Sequence, residues 1–191
     1  MLFTKVNFED TPVMQQIQRL RYQVYCCECA FIQPEAHPDG IETDPYDAHA
    51  IHFAAINNAG HVIASVRMIL GEFTLLPIEL ICPIDAFTQR SIPDESVAEI
   101  SRLIVHKDSR KQSFPILLRL CRLSHVECQK RGITRLYALM EKQLANLLGS
   151  YGLECGRIGD AVEHYGMVYP YTVDVAFFGE VIAGALKTDE T

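Results

Sequence analysis

Residues 97–153 read VAEISRLIVHKDSRKQSFPILLRLCRLSHVECQKRGITRLYALMEKQLANLLGSYGL, and the fold is decided there. Ser96 to Val105 is rich in β-branched and aliphatic residues and reads as a strand. Phe114 to Lys130 carries apolar residues at 116, 117, 120, 123 and 126 and stops before Gly132, the spacing and stop signal of a helix. Thr134 to Met140 then reads as a strand, Gln143 to Tyr151 as a helix and Gly152 to Arg157 as another strand. Upstream, Val13, Ile17, Leu20, Val24 and Tyr25 repeat at helical spacing behind Thr11-Pro12. Ile51 to Ile56 and Val62 to Leu70 form strands joined by Asn57-Asn58-Ala59-Gly60, a hairpin signal. Pro77 to Pro83 is expected to be a connection and Ile84 to Arg90 a short helix. Val168 to Val175 is a last strand, followed by an apolar helix to Leu186. The order predicts an α/β (α+β) fold: a mixed, mostly antiparallel central sheet flanked by helices in three layers. A single domain over residues 1–191 accommodates it.

Composition narrows the function classes. The apolar fraction is 49% and the charged fraction 21%, ordinary for a globular chain. The opening residues show no export leader, and the most apolar stretch, Val173 to Leu186, holds Asp174 and Glu180 and is too short for a membrane span. The expectation is a cytoplasmic protein without a transmembrane segment. Seven cysteines (26, 27, 29, 82, 121, 128 and 155) form an odd set, read as buried or half-buried reduced thiols. The cluster Cys26-Cys27-x-Cys29 lacks a second ligand pair, and the histidines have no metal-ligand spacing, so no metal is expected. Residues 102–135 hold nine basic side chains against two acidic ones, so this segment is +7 within a chain of net charge −7. It is either a solvated helix face or a dock for an acidic partner or phosphate. The overall acidity argues against nucleic acid.

Four patterns lie in register along the chain: Arg21-x-x-Val24-Tyr25, Glu42-x-Asp44-x-x-Asp47, Arg67, and Glu99-x-Ser101-Arg102. Together they resemble the acyl-homoserine lactone (autoinducer) synthases and the related N-acyl amino acid synthases of the GNAT superfamily, over residues 15–110 by motif. The run Arg21 to Cys26, the acidic motif and the tail Val162-Glu163-His164-Tyr165-Gly166 with Tyr169-Pro170-Tyr171 are most similar to the acyltransferases associated with PEP-CTERM and exosortase gene systems. Autoinducer synthases usually carry a tryptophan after the first helix. This chain has none, and Phe31 is the nearest bulky residue, which counts against a lactone product made from S-adenosylmethionine.

The resemblance implies transfer of a fatty acyl group from a carrier thioester to a small amine. The acceptor's ammonium must lose a proton for its nitrogen to attack, and Glu99, on a central strand, is the candidate proton acceptor. The alternative reading is that the same carboxylate simply pairs with Arg102 or Arg67, which is compatible with relaying a proton through water. Ser101 is a donor to the thioester carbonyl or departing thiolate, or a plain strand serine. A strand bulge is implied near Leu103 to Val105, where backbone N–H groups would hold the oxyanion. Arg21, Tyr25, Phe31, Glu42, Asp44, Asp47, Arg67 and Arg102 are expected beside the amine pocket, with Arg21, Asp47 and Arg67 as scaffold. The segment His106 to Pro115 is basic and has no glycine, unlike the pyrophosphate loops of CoA users. Lys107, Arg110, Lys111 and Arg119 are therefore expected to receive an acyl carrier protein, with acyl-CoA as the less favoured co-substrate and no tightly bound cofactor. A non-catalytic carrier-binding or acyl-sensing module is the rival from another class.

Overall fold

Helix α1, Thr11–Tyr22, begins where Pro12 presets the backbone and the Asp10 carbonyl accepts from the Met14 N–H at 2.9 Å. Its apolar stripe, Met14, Ile17 and Leu20, continues into Val24 and packs with Val6, Ala54, Val62 and Ile104. Each of these larger side chains contributes about 1.5–3 kcal/mol by leaving water. The helix widens into a π-helical turn, Gln23–Glu28, that closes with Cys29 N–H on the Val24 carbonyl.

The computed structural model describes residues 1–72, 75–82, 94 and 96–189. The strands are β1 (Leu2–Val6), β2 (Ala50–Ile56), β3 (Val62–Leu70), β4 (Val97–Val105), β5 (Arg135–Met140), β6 (Gly156–Arg157), β7 (Val162–Glu163) and β8 (Met167–Asp174). The remaining helices are α2 (Pro77–Ile81), α3 (Ser113–Arg131), α4 (Lys142–Ser150) and α5 (Val175–Asp189). The chain divides into two compact units, Met1–Met68 with Arg102–Leu123, and Ile69–Ser101 with Ser124–Thr191.

In the first unit β1 pairs antiparallel with β2, from Leu2↔Ile56 to Val6↔His52. The β2–β3 hairpin is closed by the Asn57 side chain, whose Oδ1 accepts from the Ala59 and His61 N–H groups at 3.0 and 2.9 Å. Gly60, at φ 81°, makes the turn possible. In the second unit β4 runs parallel to β5 over Val97↔Arg135 to Glu99↔Tyr137, and β8 lies antiparallel to β5, β6 and β7. The strands follow in the order β1-β2-β3-β4-β5-β8-β6, with β7 on β8, an eight-stranded mixed sheet of the expected class. Helix α3 ends as its sequence predicts. Gly132 takes φ 69°, and the Ile133 N–H returns to the Cys128 carbonyl at 3.0 Å. Asp174 caps α5 through Ala176 and Phe177 N–H, at 3.0 and 3.1 Å.

Three local expectations are corrected. Residues 77–81 form α2, not a connection: Pro77 occupies the first helical position, and five residues are too few to show a period. Strand β1 is an addition, a short strand whose pattern is weak outside its pairing. Within Gly152 to Arg157 only the last two residues are strand. The expected helix at Ile84 to Arg90 lies outside the described residues. No helix among the described residues is long and apolar enough to cross a membrane.

Candidate active site

The first unit contains an ion network of three guanidiniums and three carboxylates. Arg21, on α1, donates through Nε to Glu42 and through Nη1 to Asp47 Oδ1 at 2.7 Å. Arg67, on β3, donates through Nη1 to the same Asp47 oxygen at 2.7 Å and to Asp44 Oδ1 at 2.5 Å. Arg102, on β4, reaches Glu42 Oε1 at 2.9 Å and Asp44 Oδ2 at 3.1 Å. Asp47 Oδ2 also accepts from the Asp44 N–H at 3.2 Å, and Asp44 Oδ1 from the Tyr46 N–H at 2.9 Å. The irregular segment after the first helix is thus ordered by charge-assisted bonds.

Burial sorts the six. The side chains of Arg21, Glu42, Asp47 and Arg67 are 0–3% exposed, whereas Arg102 and Asp44 are 16% and 18% exposed. Burial alone would raise the Glu42 and Asp47 carboxyls. The guanidiniums of Arg21 and Arg102 for Glu42, and of Arg21 and Arg67 for Asp47, overcome it and hold both below the usual carboxylate range. Burial also favours the neutral base for His52, whose titration moves down despite the opposing Asp47 carbonyl 3.0 Å from its Nε2. Against that carbonyl, Nε2 carries the proton. Among the described residues, Arg21 Nη2 and Ser65 Oγ are buried without a hydrogen-bond partner.

Tyr25 and Phe31, both read from sequence as amine-side residues, stack with ring centroids 6.3 Å apart. The Arg102 guanidinium sits 5.4 Å over the Tyr25 ring. Burial raises the Tyr25 phenol, although Arg102 and Arg21 pull it the other way. The phenol is therefore neutral near pH 7.

Strand β4 departs from extended geometry at Arg102, whose φ is 52°. That left-handed conformation costs a non-glycine residue about 1–2 kcal/mol. It breaks the two-residue alternation as a bulge does, and the Arg102 side chain meets Glu42 and Asp44. The break is one residue ahead of the expected Leu103 to Val105, both of which are half-buried.

Glu99 lies in the second unit and is 2% exposed, deeper than a partly desolvated base. Its Oε2 accepts the Ile78 N–H at the start of α2, at 2.8 Å. Arg102, the first arginine considered for it, is bound to Glu42 and Asp44. Cys82, 2% exposed, has its thiol pushed up by burial and then by the Glu99 charge. Ser101 is half-buried on the same strand.

The basic turn Lys107–Gln112 is exposed at Lys107, Arg110 and Lys111. Arg110 is held through Nη2 by Glu28 and through Nε by the Val105 carbonyl at 3.4 Å. The Arg119 guanidinium lies 5.7 Å over the Phe3 ring, and the residue stays exposed. The cysteine expectation fails at Cys27 and Cys29, which are exposed. Cys26, Cys82 and Cys128 are buried, and Cys121 and Cys155 are half-buried. In the tail motif, His164 leans on Tyr165 at 4.3 Å, at the tip of the β7–β8 hairpin.

No curated protein matches the sequence. Among solved structures, the CoA-dependent acyl-homoserine lactone synthase BjaI, solved with SAM and isopentyl-CoA, superposes with a TM-score of 0.80 at 20% identity, covering 97% of this chain and 89% of that one. The synthase LasI gives 0.73 at 17% identity, over 91% and 89% of the two chains. TofI, in a ternary complex with an inhibitor and MTA, gives 0.75 at 16% identity, over 96% and 97%. At such identities these likenesses concern the fold. The family model described as the acetyltransferase (GNAT) domain matches residues 20–120, more than half the chain and the stretch holding all six network residues and Glu99. On that match the chain belongs to the acetyltransferase (GNAT) domain family.

Proposed function

We propose that the protein is an N-acyltransferase that moves a fatty acyl group from an acyl carrier protein thioester to the amine of an amino acid or similar small amine. The amine nitrogen attacks the thioester carbonyl, Glu99 accepts the amine proton through water, and the carrier thiolate leaves as the amide forms. Backbone N–H groups near Leu103 to Val105 are the proposed oxyanion donors, and Ser101 the donor to the carbonyl or departing thiolate.

The observation that carries the acceptor class is the exposure pattern of the ion network. Four members are sealed, and only Asp44 and Arg102 reach solvent. A carboxylate and a guanidinium side by side match the ammonium and carboxylate of an amino acid. Tyr25 and Phe31 supply the adjoining aromatic wall. The carrier assignment rests on the exposed, glycine-free basic turn at Lys107, Arg110 and Lys111, which suits an acidic carrier protein. The resemblance to acyltransferases of PEP-CTERM and exosortase systems points the same way.

A second reading is favoured by the fold neighbours: an acyl-homoserine lactone synthase that uses S-adenosylmethionine. BjaI, itself described as CoA-dependent, also makes acyl-CoA the alternative donor. Mass spectrometry of lipid extracts from cells expressing the protein, beside a Glu99→Gln control, separates these readings. New N-acyl amino acids that vanish in the control are expected. Acyl-homoserine lactones would move the assignment to the second reading, and an undiminished Glu99→Gln yield would remove Glu99 from the mechanism. Turnover of the purified protein with acyl carrier protein thioesters against acyl-CoA then identifies the donor.

A further inference from the structure

The segment Leu76-Pro77-Ile78-Glu79 brings together several features that the proposed chemistry has not used. Leu76 and Ile78 are fully buried, which anchors the chain on both sides of Pro77. Pro77 has no N–H and a fixed φ, so the first amide that α2 can offer is that of Ile78. That amide points at Glu99 Oε2, 2.8 Å away. Glu79, one residue on, folds its carboxylate back, and its Oε2 accepts the Leu76 N–H at 2.6 Å. Its own N–H donates to the Leu76 carbonyl at 3.0 Å. This is the return half of a capping box, made where the N-cap side chain is a leucine and cannot supply the other half.

We infer that Glu79 is a positioning residue for Glu99: it clamps the first turn of α2 so that the Ile78 N–H holds the Glu99 carboxylate in one orientation. The inference rests on Glu99 being the proton acceptor. A helix of five residues has little cohesion of its own, so without the clamp its first turn frays and the Ile78 amide loses its aim. The Glu99 carboxylate would then rotate away from the water that relays the proton. Misplacement on this scale slows the chemical step and leaves substrate binding alone.

The test pairs Glu79→Ala with the conservative Glu79→Gln, which keeps a carbonyl oxygen for the Leu76 N–H. Glu79→Ala should lower kcat about tenfold or more with KM within about twofold, and Glu79→Gln should recover most of the loss. The Ile78 amide resonance, followed by 1H–15N NMR in the folded variants, supplies a readout that does not depend on activity. It should move upfield in Glu79→Ala and in Glu99→Gln but stay near its wild-type position in Glu79→Gln. An unmoved Ile78 amide and unchanged kcat in Glu79→Ala would overturn the inference while Glu99→Gln remained inactive. Full activity in Glu99→Gln would instead remove the base that the clamp serves, and the inference with it. A fall in thermal stability alone, with kcat and the amide unchanged, would reduce Glu79 to an ordinary helix cap.

Discussion

Replacing Arg21 with methionine tests whether the ion network is a dry, interlocked unit. The side chain is 0% exposed, and the two carboxylates it serves, on Glu42 and Asp47, are 1% and 3% exposed. Methionine fills the volume without the charge, so cavity formation is a minor part of the effect. The network changes from three positive against three negative groups to an excess of one negative charge. Breaking a buried pair in this way costs about 3–5 kcal/mol. Glu42 keeps Arg102 and Asp47 keeps Arg67, which places Arg21→Met at the lower end, about 3–4 kcal/mol. For a chain of this length that corresponds to a fall in Tm of about 10 °C. The pH dependence gives an independent check. Both carboxyls are held below their ordinary values in the folded protein, so the stability they confer is complete above the unfolded range near pH 4 and is lost as pH falls through the folded values. The gap between wild type and Arg21→Met, read from urea midpoints, should therefore be widest near pH 7 and narrow below about pH 4. A loss below about 1 kcal/mol at pH 7 would mean that water screens the network as it does a surface pair. A gap that ignored acidification would show that the loss came from packing.

Two further outcomes are expected elsewhere. Ala30 takes φ 52° on the surface just past the π-helical turn, so Ala30→Gly should relieve strain and raise stability by about 1 kcal/mol, read from urea unfolding. In thiol labelling of the native protein near pH 8, Cys27 and Cys29 should react first. Cys128, buried with its thiol pushed up to about 12 by burial and then by Glu127, should stay unreacted until the protein unfolds.

Much of this architecture is legible in the sequence because its elements are long enough to show a period or end on unambiguous signals. Helix α3 runs from an apolar repeat to Gly132, and the hairpin turns at Asn57 and Gly60, so both strands and the helix stand close to their expected bounds. The six network residues were legible as motifs, but their pairing was not. A salt bridge such as Glu42–Arg102 joins residues sixty apart, and nothing in either residue's neighbourhood names the other. Glu99 shows the limit most clearly. Its chemical type and strand position mark it as a candidate, whereas the amide that meets its Oε2 belongs to a five-residue helix, which carries no side-chain signature and too little length for periodicity. The break at Arg102 was hidden for a related reason. Arginine has no preference for a positive φ, and the conformation is held by tertiary ion pairs with Glu42 and Asp44.

The contrast between Asp44 and Asp47 separates a sealed carboxylate from one that solvent reaches. Both belong to the same short motif and both bind Arg67. Asp47 is 3% exposed and takes Arg21, Arg67 and a backbone N–H; Asp44 is 18% exposed and shares its second oxygen with Arg102. Asp47→Asn leaves Arg21 and Arg67 with an unneutralised charge in a sealed site, at a cost of about 3 kcal/mol or more, and any fall in activity should follow the fraction of folded protein. Asp44→Asn weakens two bonds that water can partly replace, so the fold should lose only about 1 kcal/mol. If Asp44 receives the acceptor's ammonium, the variant loses a charged hydrogen bond worth about 1.5–3 kcal/mol, and KM for the amine should rise about tenfold or more with KM for the acyl donor unchanged. Steady-state kinetics with each substrate varied in turn, beside a melt of each variant, resolves the two patterns. Equal KM values for the amine in wild type and Asp44→Asn would place the ammonium elsewhere, and Asp44 would join the scaffold with Asp47.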